Sequence, residues 1–185
     1  MMWRALYLVL AALVVAGIVH ISVLLLVPAY GVKDAYATIE RSIASFRFSR
    51  IGGGQLRLPD SDPYFEYGVC RFEMSGGGMY MTGPKIDSFW SATLLDEDGS
   101  VIYSLNSRTA IDNKLDVIVL DPAGILQLRD LQPPEAESAI IVETEAPSGF
   151  VVVRVLRPDT SWTDKATRFL AAVECRPYSL SAQQS

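Results

Sequence analysis

The chain has 185 residues, half of them hydrophobic and a fifth charged, with a formal net charge of −5. That length allows one domain with a substantial core plus an appendage, and not two full domains. Arg4 is the only base before Gly31, so the rest of the chain sets 15 Lys and Arg against all 21 acids, a net of −6; nucleic-acid binding needs clustered bases to displace counterions, and is excluded on that ground.

Residues Ala5 to Val27 contain no Asp, Glu, Lys or Arg, and only His20 and Ser22 among them are clearly polar. At ~1.5 Å per residue a helix of this length reaches roughly 35 Å, enough to cross a hydrocarbon layer of about 30 Å. Residues 5–27 are therefore predicted to form a transmembrane helix, with the lipid bilayer as partner. Trp3, Tyr7 and Tyr30 stand where the aromatic belts of such a span would lie. A cleaved signal peptide is the competing reading, because Val27-Pro28-Ala29 offers small residues, but its apolar region is normally about 7–15 residues, shorter than this run. The flanking charges, Arg4 on one side and Lys33 with Arg41 on the other, nearly balance. Orientation is decided by Cys70 and Cys175, the only cysteines and too distant for a C-x-x-C motif. An even pair in a domain delivered across a membrane reads as one disulfide, which puts the C-terminal domain on the periplasmic side of a bacterial inner membrane. Two buried free thiols in a cytosolic domain are the alternative.

Beyond the span, Val32, Tyr36, Ile39, Ile43 and Phe46 recur at helical spacing, which predicts an amphipathic connecting helix over 32–48, lying on the membrane surface or against the following domain. Residues 49–63, with Gly52-Gly53-Gly54 and then Pro59, Asp60, Asp62 and Pro63, read as a linker. From Tyr64 the pattern changes to short runs rich in Val, Ile, Tyr, Phe and Trp: Tyr64 to Met74, Gly78 to Thr82, Ser88 to Asp96, Ser100 to Leu105, Leu115 to Leu120, Ala139 to Glu145 and Gly149 to Arg157. Asp98-Gly99 is a hairpin signal between the third and fourth runs. Helices do not alternate with every strand. The expected fold is mainly β with a few helices: an antiparallel sandwich or jelly-roll-like domain over 64–177. Asp121-Pro122 starts one helix, to about Asp130, and Ser161-Trp162-Thr163-Asp164 has capping-box spacing before a C-terminal helix over Thr163 to Glu174. Residues 178–185 read as a polar tail.

The chemistry is sparse. The single histidine, His20, falls in the apolar segment, which leaves the following domain without Ser-His-Asp or Cys-His nucleophile pairs and without His-based metal sites. No catalytic residue, metal ligand or cofactor is expected. Asp96-Glu97-Asp98-Gly99 lacks the further ligands of a calcium loop, and Gly76-Gly77-Gly78 lacks a phosphate-loop pattern, so both read as turns. The candidate ligand-binding residues are Asp87, Arg108 and Arg154. Arg154, embedded in the apolar run Val151 to Leu156, either binds a carboxylate ligand, pairs with an acid of a neighbouring strand or sits at an exposed edge. Asp87 and Glu73 are candidates for paired acid–base carboxylates.

The segment Asp87-Ser88-Phe89-Trp90-Ser91-Ala92-Thr93-Leu94-Leu95-Asp96-Glu97-Asp98-Gly99, continuing through Tyr103 to Arg108, resembles proteins of the domain of unknown function 1254 family and its companion 1214 family. Pro147 to Asp159 is similar to the companion's closing strand, and Cys70 to Ser75 resembles the strand that precedes the unit. This chain resembles the small membrane-anchored bacterial members, departing from longer soluble ones in its anchor and single β-unit. The resemblance implies a jelly-roll-like β-domain in the bacterial envelope with no established reaction, so no active-site residue carries over. The expected function is a single-pass envelope protein presenting a binding or assembly domain, partnered by another envelope protein of the same broad family. The alternatives are an enzyme using carboxylates and arginines, or a carrier of a small ligand or lipid.

Overall fold

A computed structural model describes residues 2–52 and 62–180, with residues 28–36 described as backbone alone. Much of the 49–63 segment and residues 181–185 of the predicted tail lie outside the described residues, as do the side chains of Val32, Asp34 and Tyr36. The first element, α1 (Met2–Ser42), is one unbroken helix of 41 residues. Its stretch Met2–Val27 is long and apolar enough to cross a membrane, and none of it is covered by the rest of the chain. The separate connecting helix expected over 32–48 does not form. The helix runs through Pro28 and Gly31 and stops at Ser42, whereas Phe46 adopts φ 59° and Phe48 already belongs to a strand. A proline removes one donor, and the helix continues through it on the hydrogen bonds of the flanking turns.

Nine strands form two sheets. In the first, β1 (Phe48–Ile51), β2 (Phe65–Glu73), β8 (Ser148–Leu156), β4 (Trp90–Asp96) and β5 (Val101–Asn106) lie side by side in that order. In the second the order is β7 (Ile140–Glu143), β6 (Leu115–Leu120), β3 (Gly78–Gly83), β9 (Glu174–Tyr178). The expected mainly-β, sandwich-like fold is what the chain adopts. The inner faces meet over Cys70 and Phe72 of β2, Met79 and Met81 of β3, Ala92 and Leu94 of β4, and Val151, Val153 and Val155 of β8, all essentially inaccessible. The turn Asp96 to Ser100 is the expected hairpin: the Asp96 carboxylate accepts from the Asp98 and Ser100 amides, and Gly99 takes φ 76°, which a side chain would resist.

Four features differ from the expected fold. Residues 49–51, read as linker, are part of β1, pairing antiparallel with β2 in the register Phe48 to Cys70. The sheets are not wholly antiparallel, because β6 and β7 pair in parallel, joined by a crossover through α2 (Pro122–Leu131) and α3 (Pro134–Ser138). That crossover explains why β6 is buried at every position: Leu115, Val117 and Val119 face the inter-sheet core while Ile118 and Leu120 face Ile125 and Leu128 of α2. The last helix, α4 (Thr163–Ala171), is shorter than read and is not capped by Ser161. Asp159 accepts from the Ser161 amide and hydroxyl and starts a tight turn that leads into the helix. Finally, residues 174–178 form β9 rather than helix end and tail, with Tyr178 and Leu180 buried. By contrast, Asp121 caps α2 as the sequence indicates, accepting from the Gly124 amide at 2.7 Å, with Pro122 in the first turn.

Two devices hold the layers together. Cys70 and Cys175 form the expected disulfide, their Cα atoms 6.5 Å apart, but it joins β2 of one sheet to β9 of the other instead of tying down a peripheral helix. The second device docks α1. Ile39 and Ile43 bury against Ile51, Val69 and Phe150 on the outer face of the five-stranded sheet. Beside them Arg71 donates to Glu40 at 3.1 Å, to Ser45 at 3.1 Å and to Glu73. Because the disulfide closes a separation of 105 residues, Cys175→Ser should lower unfolding stability by roughly 2–5 kcal/mol. Urea unfolding of the detergent-solubilised chain checks this, and reductant should bring the unsubstituted protein to the same midpoint.

Candidate functional site

The loop between β3 and β4 carries the first part of a candidate site. Its backbone is fixed from two sides. The Ser88 hydroxyl donates to the Leu156 carbonyl at 2.6 Å, and the Leu156 amide donates to the Phe89 carbonyl at 2.8 Å. From the other side, the Asn113 side chain donates to the Ile86 carbonyl at 3.0 Å and accepts from the Trp90 indole N–H at 3.1 Å. Asn113 and its neighbour Asp112 both have positive φ, 57° and 56°, a left-handed pair that brings the Asn113 amide inward. Ile86 is thereby buried while Lys85 and Asp87 stay exposed.

Helix α4 supplies the second part. Ala166, Phe169 and Leu170 form its buried stripe, and Phe169 stacks on Trp90 with ring centroids 6.4 Å apart. Lys165 and Arg168, three apart and so on one face, are exposed beside that stripe. Loop and helix enclose a cleft of about 280 Å³ in which Lys85, Asp87, Lys165 and Arg168 stand over Ile86 and Phe169. Lys165 lies over the Trp162 ring at 4.3 Å, and Arg168 Nε donates to the carbonyl of Asp164 at 3.3 Å. Lys85 has a loose exposed pairing with Asp112 at 4.0 Å. Among the described residues neither Lys165 nor Arg168 forms an ion pair. The cleft can attract an anion and offers it guanidinium and ammonium donors.

Of the three ligand-binding candidates read from the sequence, only Asp87 lines this cleft. Arg108 lies in the turn after β5, exposed, its amide donating to the Asn106 side chain at 2.9 Å. Arg154 lies on the outer face of the five-stranded sheet, where its Nε donates to the Ser91 hydroxyl at 2.7 Å and its guanidinium covers the Phe65 ring at 5.3 Å. Glu73 is held by Arg71 and Ser45 next to the end of α1, while Asp87 sits beyond the Leu156 end of the same sheet, so the two do not form a carboxylate pair. Lys85, Lys165 and Arg168 were not singled out in the sequence. The helical spacing of Lys165 and Arg168 was visible there as a polar face, but their neighbourhood to the β3–β4 loop is a tertiary fact.

A second polar group lies on the outer face of the four-stranded sheet. Asp116 is almost fully buried, accepting from Ser138 of α3 at 3.2 Å and from Lys114 at 3.4 Å. Tyr80 packs 6.0 Å from Tyr178, ring centre to ring centre, and Arg176 covers the Tyr80 ring at 4.6 Å. Burial raises the Tyr80 phenol, and the Asp116 carboxylate raises it further through a hydrogen bond and its charge. Tyr178 is pushed up to about 12 by burial, then by the charge of Glu135 and the 3.4 Å hydrogen bond it donates to that residue. This group fastens the α2–α3 crossover to the sheet. No group of His, Cys, Asp or Glu suited to a metal ion occurs among the described residues.

No family model and no curated protein matches the chain. Among solved structures it is similar to the VPA0106 protein of Vibrio parahaemolyticus, with a TM-score of 0.60 and 12% identity over 86% of this chain and 38% of that one. An uncharacterised protein from Burkholderia cenocepacia aligns with a TM-score of 0.44 and 12% identity, over 72% of this chain and 37% of that one. The first likeness is one of fold. The chain spans less than two-fifths of the length of either protein.

The raised tyrosines have a testable consequence. Both phenols are favoured neutral in the fold, so their contribution is complete below pH 10, the ordinary tyrosine value, and is lost as the pH rises through their raised folded values, about 12 for Tyr178. Thermal unfolding between these limits should show stability falling with pH, and Tyr178→Phe should flatten that slope. A Tyr178 phenolate absorbance that develops near pH 10 would contradict it.

Proposed function

We propose that the chain is a single-pass protein of the bacterial inner membrane that holds a β-sandwich binding or assembly domain at the periplasmic surface. The observation that carries this reading is the continuity of α1 with the domain. The apolar helix passes unbroken through Val27-Pro28-Ala29, the segment a signal peptidase would need extended, and ends docked through Ile39, Ile43 and Arg71. A helix clamped in this way transmits the orientation of the membrane to the sheets, as a scaffold requires. The disulfide supports the periplasmic side, because such a bond persists in an oxidising compartment and is reduced in the cytosol. The resemblance to small anchored members of the domain of unknown function 1254 family supports the envelope setting and a partner from the same broad family.

Carbonate-washed membranes should retain the chain at its full mass, and thiol trapping in intact cells should find both cysteines unreactive until reductant is added. A soluble form beginning near Tyr30, or two thiols alkylated before reduction, would refute the anchor or the orientation respectively.

A further inference from the structure

We propose that the cleft between the β3–β4 loop and α4 binds a small, soluble organic dianion of the dicarboxylate or phosphate-ester class. The proposal rests on the binding-domain reading and names the ligand class and the site. Three cations converge there in a region of the chain whose net charge is −6, so the clustering runs against the composition around it. Asp87 is the one carboxylate lining the cleft and Asp112 stands loosely against Lys85, so Lys165 and Arg168, which form no ion pair among the described residues, supply the two positive charges that a dianion neutralises. Arg168 uses only its Nε within its own helix, and its forked terminal nitrogens are the donors suited to two carboxylate or phosphate oxygens. Lys165 is steadied over Trp162, which reduces the freedom its ammonium loses on binding. Ile86 and Phe169 give the floor an apolar surface for a short carbon skeleton. A volume of about 280 Å³ falls just below the range of about 300–1,000 Å³ typical of drug-sized ligands, and so suits a smaller molecule.

We take the ligand to be soluble and not a lipid headgroup, because the cleft lies at the end of β8 away from the seat of α1. Helix α1 docks at Val69 and Phe150, whereas the loop is fastened to Leu156, six residues along β8. At ~3.3 Å per residue the cleft is about 20 Å along the strand from the point where the membrane helix arrives. Asp87, exposed at the cleft wall, would accept a hydroxyl or ammonium donor carried by the ligand and repel anions that lack one.

The test titrates the full chain in a neutral detergent with succinate and with inorganic phosphate at constant ionic strength, followed by calorimetry. Saturable one-site binding of either probe is expected. Arg168→Gln should weaken it about tenfold, as expected for loss of one charged hydrogen-bonding partner. Lys165→Gln should act in the same direction, and Asp87→Asn should tighten binding of succinate, which carries no donor for that carboxylate. Arg129→Gln, which removes the same charge from α2, should bind as the unsubstituted chain does. All four positions are exposed, and retained disulfide and unfolding midpoint confirm that each variant is folded. Non-saturable heats, equal weakening by Arg129→Gln and Arg168→Gln, or binding confined to vesicles containing anionic phospholipid would each overturn the proposal. The outcome is separable from the anchor reading: loss of anion binding with full retention in carbonate-washed membranes removes only the cleft assignment, and release from membranes with binding intact removes only the anchor.

Discussion

A one-residue slip of β8 would turn Val151, Val153 and Val155 out of the space between the sheets and bring Phe150, Val152 and Arg154 in. Period-two alternation allows no compromise, and β8 is paired on both sides, to β2 and to β4, so its register fixes both neighbours. The outward residues then decide what can be built on the other face. Phe150, with Val69 of β2, forms the apolar seat for Ile39 and Ile43 of α1. Arg154 finds Ser91 directly opposite it on β4. The end of the strand, through the Leu156 carbonyl and amide, holds the β3–β4 loop that forms one wall of the cleft. The docking of the helix and the position of the cleft are therefore both consequences of one register.

The disulfide acts at right angles to that pairing. Hydrogen bonds run within each sheet, and the space between the sheets is filled by side-chain packing, with Phe169 of α4 stacked on Trp90. Cys70 lies opposite Val151 in the five-stranded sheet, and Cys175 lies opposite Met81 in the four-stranded one, so the bridge crosses the core from the second strand of one sheet to the edge strand of the other. It also fixes the edge strand β9, which follows α4 directly in the chain.

The two ends of the domain differ in kind. At the α1 end, charges are consumed internally: Arg71 is shared among Glu40, Ser45 and Glu73, which leaves little field for a ligand. At the α4 end, cations are presented on an exposed helix face without carboxylate partners among the described residues. The same residue type thus serves as a clamp in one place and as a presented charge in the other. Burial separates them, since Arg71 is largely covered and Arg168 is not.

Elements whose signal is carried by neighbours in the chain were legible in the residues. The charge-free stretch 5–27 reads as one long apolar helix, and forms one. Likewise, Asp121-Pro122 preorganises a helix start, Asp98-Gly99 a hairpin, and Leu115 to Leu120 a buried strand, and each forms where it was read. An even cysteine pair announced a bridge without saying what it joins. Elements that depend on distant partners were not legible. Phe48–Ile51 and Glu174–Tyr178 are edge strands too short for periodicity to reveal, and become strands because β2 and β3 offer free hydrogen-bonding edges. The parallel pairing of β6 with β7, the placement of Arg154 on Ser91 and not on an acid, and the convergence of Lys85 with Lys165 and Arg168 join residues up to some eighty positions apart. Local chemistry specifies turns, caps and the long apolar helix; long-range register alone decides which charges share a cleft, because no side chain encodes the identity of a neighbour it meets only after the sheets have paired.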